Sequence, residues 1–90
     1  MSAKTSEKDR LWHVYIVRCN DDSLYTGITT DLIRRLKEHN NSPRGASYTR
    51  GRRHVTLVYT DTVIDRSSAS RREREIKHLS KLAKERLLLV

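Results

Sequence analysis

The stretch Trp12-His13-Val14-Tyr15-Ile16-Val17-Arg18, then Asn20-Asp21-Asp22-Ser23, then Leu24-Tyr25-Thr26-Gly27-Ile28, decides the fold. Both outer runs alternate and are rich in β-branched and aromatic types, which predicts two strands, Trp12–Arg18 and Leu24–Ile28. The four polar residues between them are turn formers, so the strands pair as an antiparallel hairpin. Trp12, Val14 and Ile16 share one face of the first strand; His13, Tyr15 and Val17 share the other. Gly27 lets the backbone pass closely or kink at the end of the second strand.

Downstream, the period changes from two to 3.6. Thr30 can cap a helix with Asp31 at its first position, running to Asn40 or Asn41. Leu32, Leu36 and His39 form its buried stripe, with Arg35 at the edge and Arg34, Lys37 and Glu38 outward. Arg35 lies ten positions after Tyr25, and His39 fourteen. Asn41–Arg53 reads as a loop punctuated by Pro43, Gly45 and Gly51. Val55–Thr60 alternates as a third strand. Asp65 or Ser67 caps a second helix over Arg66–His78, and a shorter one spans Ser80–Leu88. The order is β-β-α-β-α-α, an α+β fold with a central three-stranded antiparallel sheet flanked by helices. Residues 1–10 are polar and aperiodic and read as a disordered tail; 11–90 read as one domain.

The chain has 90 residues and carries 19 basic against 11 acidic side chains, a net charge of +8. The excess is concentrated: Arg34, Arg35, Lys37, Arg44, Arg50, Arg52 and Arg53 stand against Glu38 alone. Such a segment attracts a polyanion, and arginine's planar fork suits phosphate. The solvated-surface alternative stays open on charge alone. No large apolar face accompanies the charge, which argues against a membrane surface as partner. The longest apolar run, Leu87–Val90, is too short to span a bilayer, and no apolar leader opens the chain. A single Cys19 has no internal disulfide partner and suits a reducing cytoplasm. His13, His54 and His78 lack zinc-ligand spacing with Cys19.

One acid stands apart. Ala69, Ile76 and Ala83 mark an apolar face, and Glu73 lies on it, four after Ala69 and three before Ile76. Glu75 falls among Arg71 and Arg72, toward solvent. A carboxylate on a core-facing stripe needs a counter-charge or a metal. A salt bridge to Arg35 or another arginine, and a metal ion, both answer that need.

Taken together, Tyr15 within His13-Val14-Tyr15, the triad Tyr25-Thr26-Gly27, Arg35, His39 and the late Ala69–Glu73 segment resemble the GIY-YIG nuclease superfamily, over about Trp12 to Leu79. Ala46-Ser47-Tyr48-Thr49-Arg50 resembles its small stand-alone bacterial members. The resemblance implies an endonuclease that hydrolyses DNA phosphodiesters with one Mg²⁺ or Mn²⁺ held by Glu73. It implies Tyr15 as general base, Tyr25 orienting water or phosphate, Arg35 neutralising charge on the phosphoryl oxygens, and His39 assisting proton transfer or binding phosphate. Which phenol is the base stays open. Ionisation of Tyr15 is expected to be eased by Arg35 and the metal. Arg34, Arg44, Tyr48, Thr49, Arg50, Arg52 and Arg53 are the expected nucleic-acid contacts. His13 stands where the family has glycine, Thr26 where it has isoleucine, and Ile28 where some repair members are basic. With no appended targeting domain expected, binding should be weak, salt-dependent and selective for structure, in DNA repair or recombination, with RNA a second candidate and a protein partner a source of specificity. The competing readings are a non-catalytic nucleic-acid-binding module and an accessory subunit of a repair complex.

Overall fold

The most apolar strand lies in the middle of the sheet. In the computed structural model, which describes residues 11–88, β1 (Trp12–Arg18) pairs antiparallel with β2 (Leu24–Thr29) on one side and β3 (Thr56–Val63) on the other. Val14, Tyr15, Ile16 and Val17 are all buried, because helices cover both faces of this strand. Between the strands run α1 (Leu32–Asn41) and a short α2 (Ser47–Arg50); α3 (Arg66–Lys77) and α4 (Lys81–Leu88) follow β3. The expected tail, residues 1–10, lies outside the described residues, as do 89–90.

The two faces of β1 carry separate cores. Val14 and Ile16 pack with Ala69 and Ile76 of α3, joined by Trp12, Leu24, Ile28 and Val58. Tyr15 and Val17 pack with Cys19 and Val55, joined by Tyr25, Leu32, Leu36 and Leu57. The alternation in the sequence therefore sorts residues between two helices, α3 on one face and α1 on the other. Full burial of side chains such as Ile16 and Ile76 contributes roughly 2 kcal/mol each. Burial also raises the Cys19 thiol pKa, so Cys19 is a packing residue and not a reactive one.

Element ends follow local chemistry. The hairpin turn closes through Asp22 N–H donating to the Cys19 carbonyl at 2.9 Å, with Asp22 in the left-handed region at φ 70°. The cap of α1 is Asp31, not Thr30: its carboxylate accepts from Arg34 N–H at 3.0 Å, while Thr29 Oγ1 accepts from Asp31 N–H at 3.1 Å. Asp65 caps α3 in the same way, accepting from Ser68 N–H at 2.7 Å. β3 continues to Val63, past the expected end at Thr60, because Thr62 and Val63 still pair with His13 and Trp12. Ala83 belongs to α4, beyond the break after α3, so the α3 face is marked by Ala69 and Ile76 alone. A bidentate pair from Arg18 to Glu85, at 2.7 and 2.9 Å, ties α4 to the end of β1.

One polar atom in the α3-side core lacks a partner. Thr26 faces Ile16 across the hairpin and is buried, and among the described residues its hydroxyl makes no hydrogen bond. A buried hydroxyl without a partner costs about 1–3 kcal/mol. Thr26→Val keeps the shape and removes the cost. Its urea-unfolding free energy is expected to equal or exceed that of the parent by about 1 kcal/mol; a loss of that size would show that the hydroxyl is stabilising.

Candidate active site

Tyr15 is where the site begins. It sits directly opposite Gly27 in the hairpin, and its ring lies across that glycine: a Cβ there would stand 2.5 Å from the Tyr15 hydroxyl. The missing side chain of Gly27 is thus the space the phenol occupies. Tyr15 is 2% exposed and points toward α1, where the stripe Leu32, Leu36, His39 turns inward. His39, wholly buried in the last turn of α1, brings Nε2 to 2.7 Å from the Tyr15 hydroxyl oxygen. Its Nδ1 lies 2.9 Å from Thr49 Oγ1, on α2.

Tyr25 is the neighbouring phenol. Its ring meets His39 edge-on at 5.4 Å and stacks on Tyr48 at 5.8 Å. The Arg52 guanidinium covers Tyr48, with Cζ 3.9 Å from the ring centroid. Arg35 lies one turn before His39, bonded to Glu38 Oε1 at 2.8 Å and the Arg44 carbonyl at 2.9 Å, with its charge acting on Tyr15. Its side chain is 25% exposed against 63% for Arg34, so one arginine of the pair faces the protein and the other faces solvent.

Burial drives the proton states of the two central groups in opposite directions. The Tyr15 phenol is pushed up to about 12 by desolvation, which outweighs the lowering effect of Arg35. Arg35 eases ionisation of Tyr15 as expected, but burial, which the sequence did not disclose, sets the net direction. His39 is pushed down to about 4, again by burial first and then by the Arg35 charge. At neutral pH the pair is a protonated phenol against a neutral imidazole.

Glu73 approaches from α3, which packs on β1 and β2. Its side chain is 24% exposed, and it pairs with Lys77 at 3.2 Å, one turn along the helix. The counter-charge is therefore a lysine, whereas the sequence offered an arginine or a metal ion. Lys77 Nζ lies 5.9 Å from the centroid of the Tyr25 ring, and the charge of Glu73 raises the Tyr15 pKa. Tyr15, Tyr25, Arg35 and His39 thus lie together, and Glu73 is linked to them through Lys77 and through its charge on Tyr15. Glu75 is exposed and pairs with Arg72 at 3.2 Å. Among the described residues no three His, Cys, Asp or Glu side chains cluster as a ligand set, so Glu73 is a solitary carboxylate.

The basic segment divides. Arg34, Arg44 and Arg50 are exposed. Arg50 donates to the Pro43 carbonyl at 3.3 Å and to Ser47 Oγ at 3.2 Å; Arg52 donates to Asp21 and to the Tyr48 carbonyl, each at 2.9 Å. Two of the expected nucleic-acid contacts turn inward. Arg53 donates to the carbonyls of Glu38, His39 and Ser42, where its positive charge caps the C-terminal end of α1. Thr49 is fully buried against His39. Sequence reasoning missed Lys77 and the inward role of Thr49. The first is four residues after Glu73, an ion-pair spacing that was legible. The second depends on a fold-back of the loop that no local spacing announces.

The sequence and fold place the chain in a recognisable class of domain. Residues 11–86 match the GIY-YIG catalytic domain, and the chain belongs to that family. It is 58% identical over 83 residues to a UPF0213 protein of Desulfotalea psychrophila, covering 91% of this chain and 76% of that one. A UPF0213 protein of Halobacterium salinarum is 52% identical over 75 residues, covering 83% and 96%. The solution structure of a UPF0213 protein from Bacillus halodurans superposes with a TM-score of 0.56 at 49% identity, covering 87% of this chain and 82% of that one. A protein of E. faecalis superposes at 0.59 with 36% identity, covering 91% and 88%.

The neutral, buried His39 makes stability pH-dependent. In the unfolded chain its pKa is near the ordinary 6.5; in the fold it is about 4, so between these values the unfolded state binds more protons. The contribution is full above about pH 6.5 and is lost as pH falls toward 4, amounting to on the order of 3 kcal/mol. Urea unfolding from pH 7.5 to 4 is expected to show this slope, and His39→Gln to flatten it. An unchanged slope in the variant assigns the acid sensitivity to other groups.

Proposed function

We propose that this protein is a divalent-metal-dependent endonuclease that hydrolyses DNA phosphodiester bonds. It would select by DNA structure more than by sequence, and serve DNA repair or recombination in the cytoplasm. The observation that carries this reading is the cluster of Tyr15, Tyr25, Arg35 and His39, with Glu73 near enough to act on Tyr15 by its charge, drawn from four separate elements beside exposed arginines. Membership in the GIY-YIG family supports the same chemistry. Weak dependence on sequence is supported by the exposed arginines, whose contacts to phosphate carry no sequence information.

The donor set fits a hard cation. Mg²⁺ keeps several waters and takes one or two carboxylates plus substrate phosphate, and Glu73 is one partly exposed carboxylate held, among the described residues, by an ammonium alone. Glu73 would hold the ion. When bound, Mg²⁺ or Mn²⁺ supplies charge neutralisation at the scissile phosphate and at the leaving oxygen. The chain's own groups do the remainder. The Arg35 guanidinium faces the charge growing on the phosphoryl oxygens. Tyr25, partly exposed, orients the attacking water or the phosphate. The Tyr15 oxygen receives the water's proton, and His39 Nε2 stands at hydrogen-bonding distance to take a proton in turn. Arg34, Arg44, Arg50 and Arg52 hold the flanking backbone. A protein partner would add specificity.

A second reading has its own observation. The Glu73–Lys77 ion pair and the burial of Tyr15 also suit a nucleic-acid-binding module without catalysis. Metal-dependent cleavage separates the two. Supercoiled, branched and single-stranded DNA, with RNA alongside, are incubated with and without Mn²⁺. The parent is expected to cleave only with metal, and Glu73→Ala to lose at least about a hundredfold in rate while its DNA affinity changes less than about threefold. Binding without cleavage by the parent favours the module. Cleavage undiminished in Glu73→Ala places the metal elsewhere. Tyr15→Phe is expected to lose about 10²–10⁴ in rate, as removal of a proton-transfer group does, with binding retained. A rate equal to the parent's removes Tyr15 from the chemistry.

A further inference from the structure

We infer that Thr49 is a positioning residue that fixes the tautomer of His39, with the proton on Nδ1 and the Nε2 lone pair aimed at Tyr15. Hydrogens can be followed along a chain of buried groups. A threonine hydroxyl has one proton to give. Thr49 Oγ1 gives it to the Ala46 carbonyl at 3.0 Å, back across the first turn of α2. Toward His39 the same oxygen can then only accept, so the 2.9 Å contact is Nδ1–H donating to Thr49 Oγ1. A neutral imidazole carries one N–H, so Nε2 is left as an acceptor. The 2.7 Å contact on that side is therefore the Tyr15 hydroxyl donating to Nε2. The direction runs Tyr15 to His39 to Thr49 to Ala46. Every member but Ala46 is buried, so bulk water competes little for these hydrogen bonds.

The tautomer has a chemical consequence, which rests on the nuclease reading. With its own hydrogen committed inward, the Tyr15 oxygen presents only lone pairs to the substrate side. A water attacking phosphorus passes a proton to that oxygen while the original phenol proton moves to Nε2. The water oxygen bonds to phosphorus and the bond to the leaving oxygen breaks. Tyr15 ends neutral, as it began, and His39 ends as an imidazolium still donating from Nδ1 to Thr49. The barrier to forming a free phenolate is avoided. In the opposite tautomer Nε2–H would point at Tyr15, and no acceptor would be available.

The test reads the tautomer directly. The full chain, uniformly labelled with ¹⁵N, gives a long-range ¹H–¹⁵N correlation spectrum of its histidines at pH 7. The expected His39 pattern is a protonated Nδ1 and an unprotonated Nε2. Thr49→Ser, which keeps the hydroxyl, is expected to preserve it. Thr49→Val, nearly the same shape without an acceptor, is expected to shift it toward Nε2–H, with folding checked by the backbone amide spectrum. Protonated Nε2 in the parent overturns the proposal, as does an unchanged pattern in folded Thr49→Val. Should the valine variant not fold, the parent and serine spectra still decide. Cleavage is the second readout: at least about a tenfold rate loss in Thr49→Val, with Thr49→Ser within about threefold of the parent. A parent with the expected tautomer but no cleavage on any substrate refutes the nuclease reading and leaves the tautomer assignment standing.

Discussion

The contact between the Tyr15 hydroxyl and the His39 imidazole is the constraint around which the rest is arranged. A phenol and an imidazole inside a hydrocarbon layer are costly unless they satisfy each other, and at 2.7 Å they do. To bring them together, the hairpin register must place Tyr15 opposite a residue with no side chain, and Gly27 is that residue. α1 must present His39 inward from its last turn, a position held by the Arg53 guanidinium on its terminal carbonyls. The remaining imidazole nitrogen then needs a partner, and α2 delivers Thr49. One polar pair thus accounts for a glycine, a helix end and a fold-back loop.

Around this pair the charges lie in two groups. Arg35 and Glu38 stand on the α1 side and Glu73 and Lys77 on the α3 side, with the phenols between. A partly solvated pair within one helix is worth only a few tenths of a kcal/mol, so Lys77 stabilises Glu73 weakly. A carboxylate so lightly held is open to exchange of its cation, whereas a buried arginine fork would resist it. A lysine at this position therefore leaves the carboxylate more open to another cation than an arginine, one of the partners the sequence offered, would have done.

Much of this was legible beforehand. Alternation in Trp12–Arg18 assigned side chains to opposite faces, and the structure distributes them between two cores accordingly. Helical periodicity set Arg35 inward and Arg34 outward, and it put Glu73 on the sheet side of α3 with Glu75 outside. What escaped was direction over distance. The end of β3 escaped because Asp61 is a strand-poor residue whose pairing with Val14 no local pattern announces. Four residues of α2 are too few for a period to appear. Thr49 and Arg53 sat in a polar, basic loop, and composition does not say whether a hydroxyl or guanidinium faces water or another part of the chain.

The inward turn of Arg53 carries a thermodynamic consequence. Ions condensed on a nucleic acid are expelled in proportion to the cationic groups that replace them at phosphates. Arg53 is spent on the helix end and Arg52 is shared with Asp21, so neither is free to expel its full share. A plot of log affinity against log salt concentration should then be shallower than the arginine count of this loop implies. The polymer encounters a smaller, more directed charge than the composition advertises.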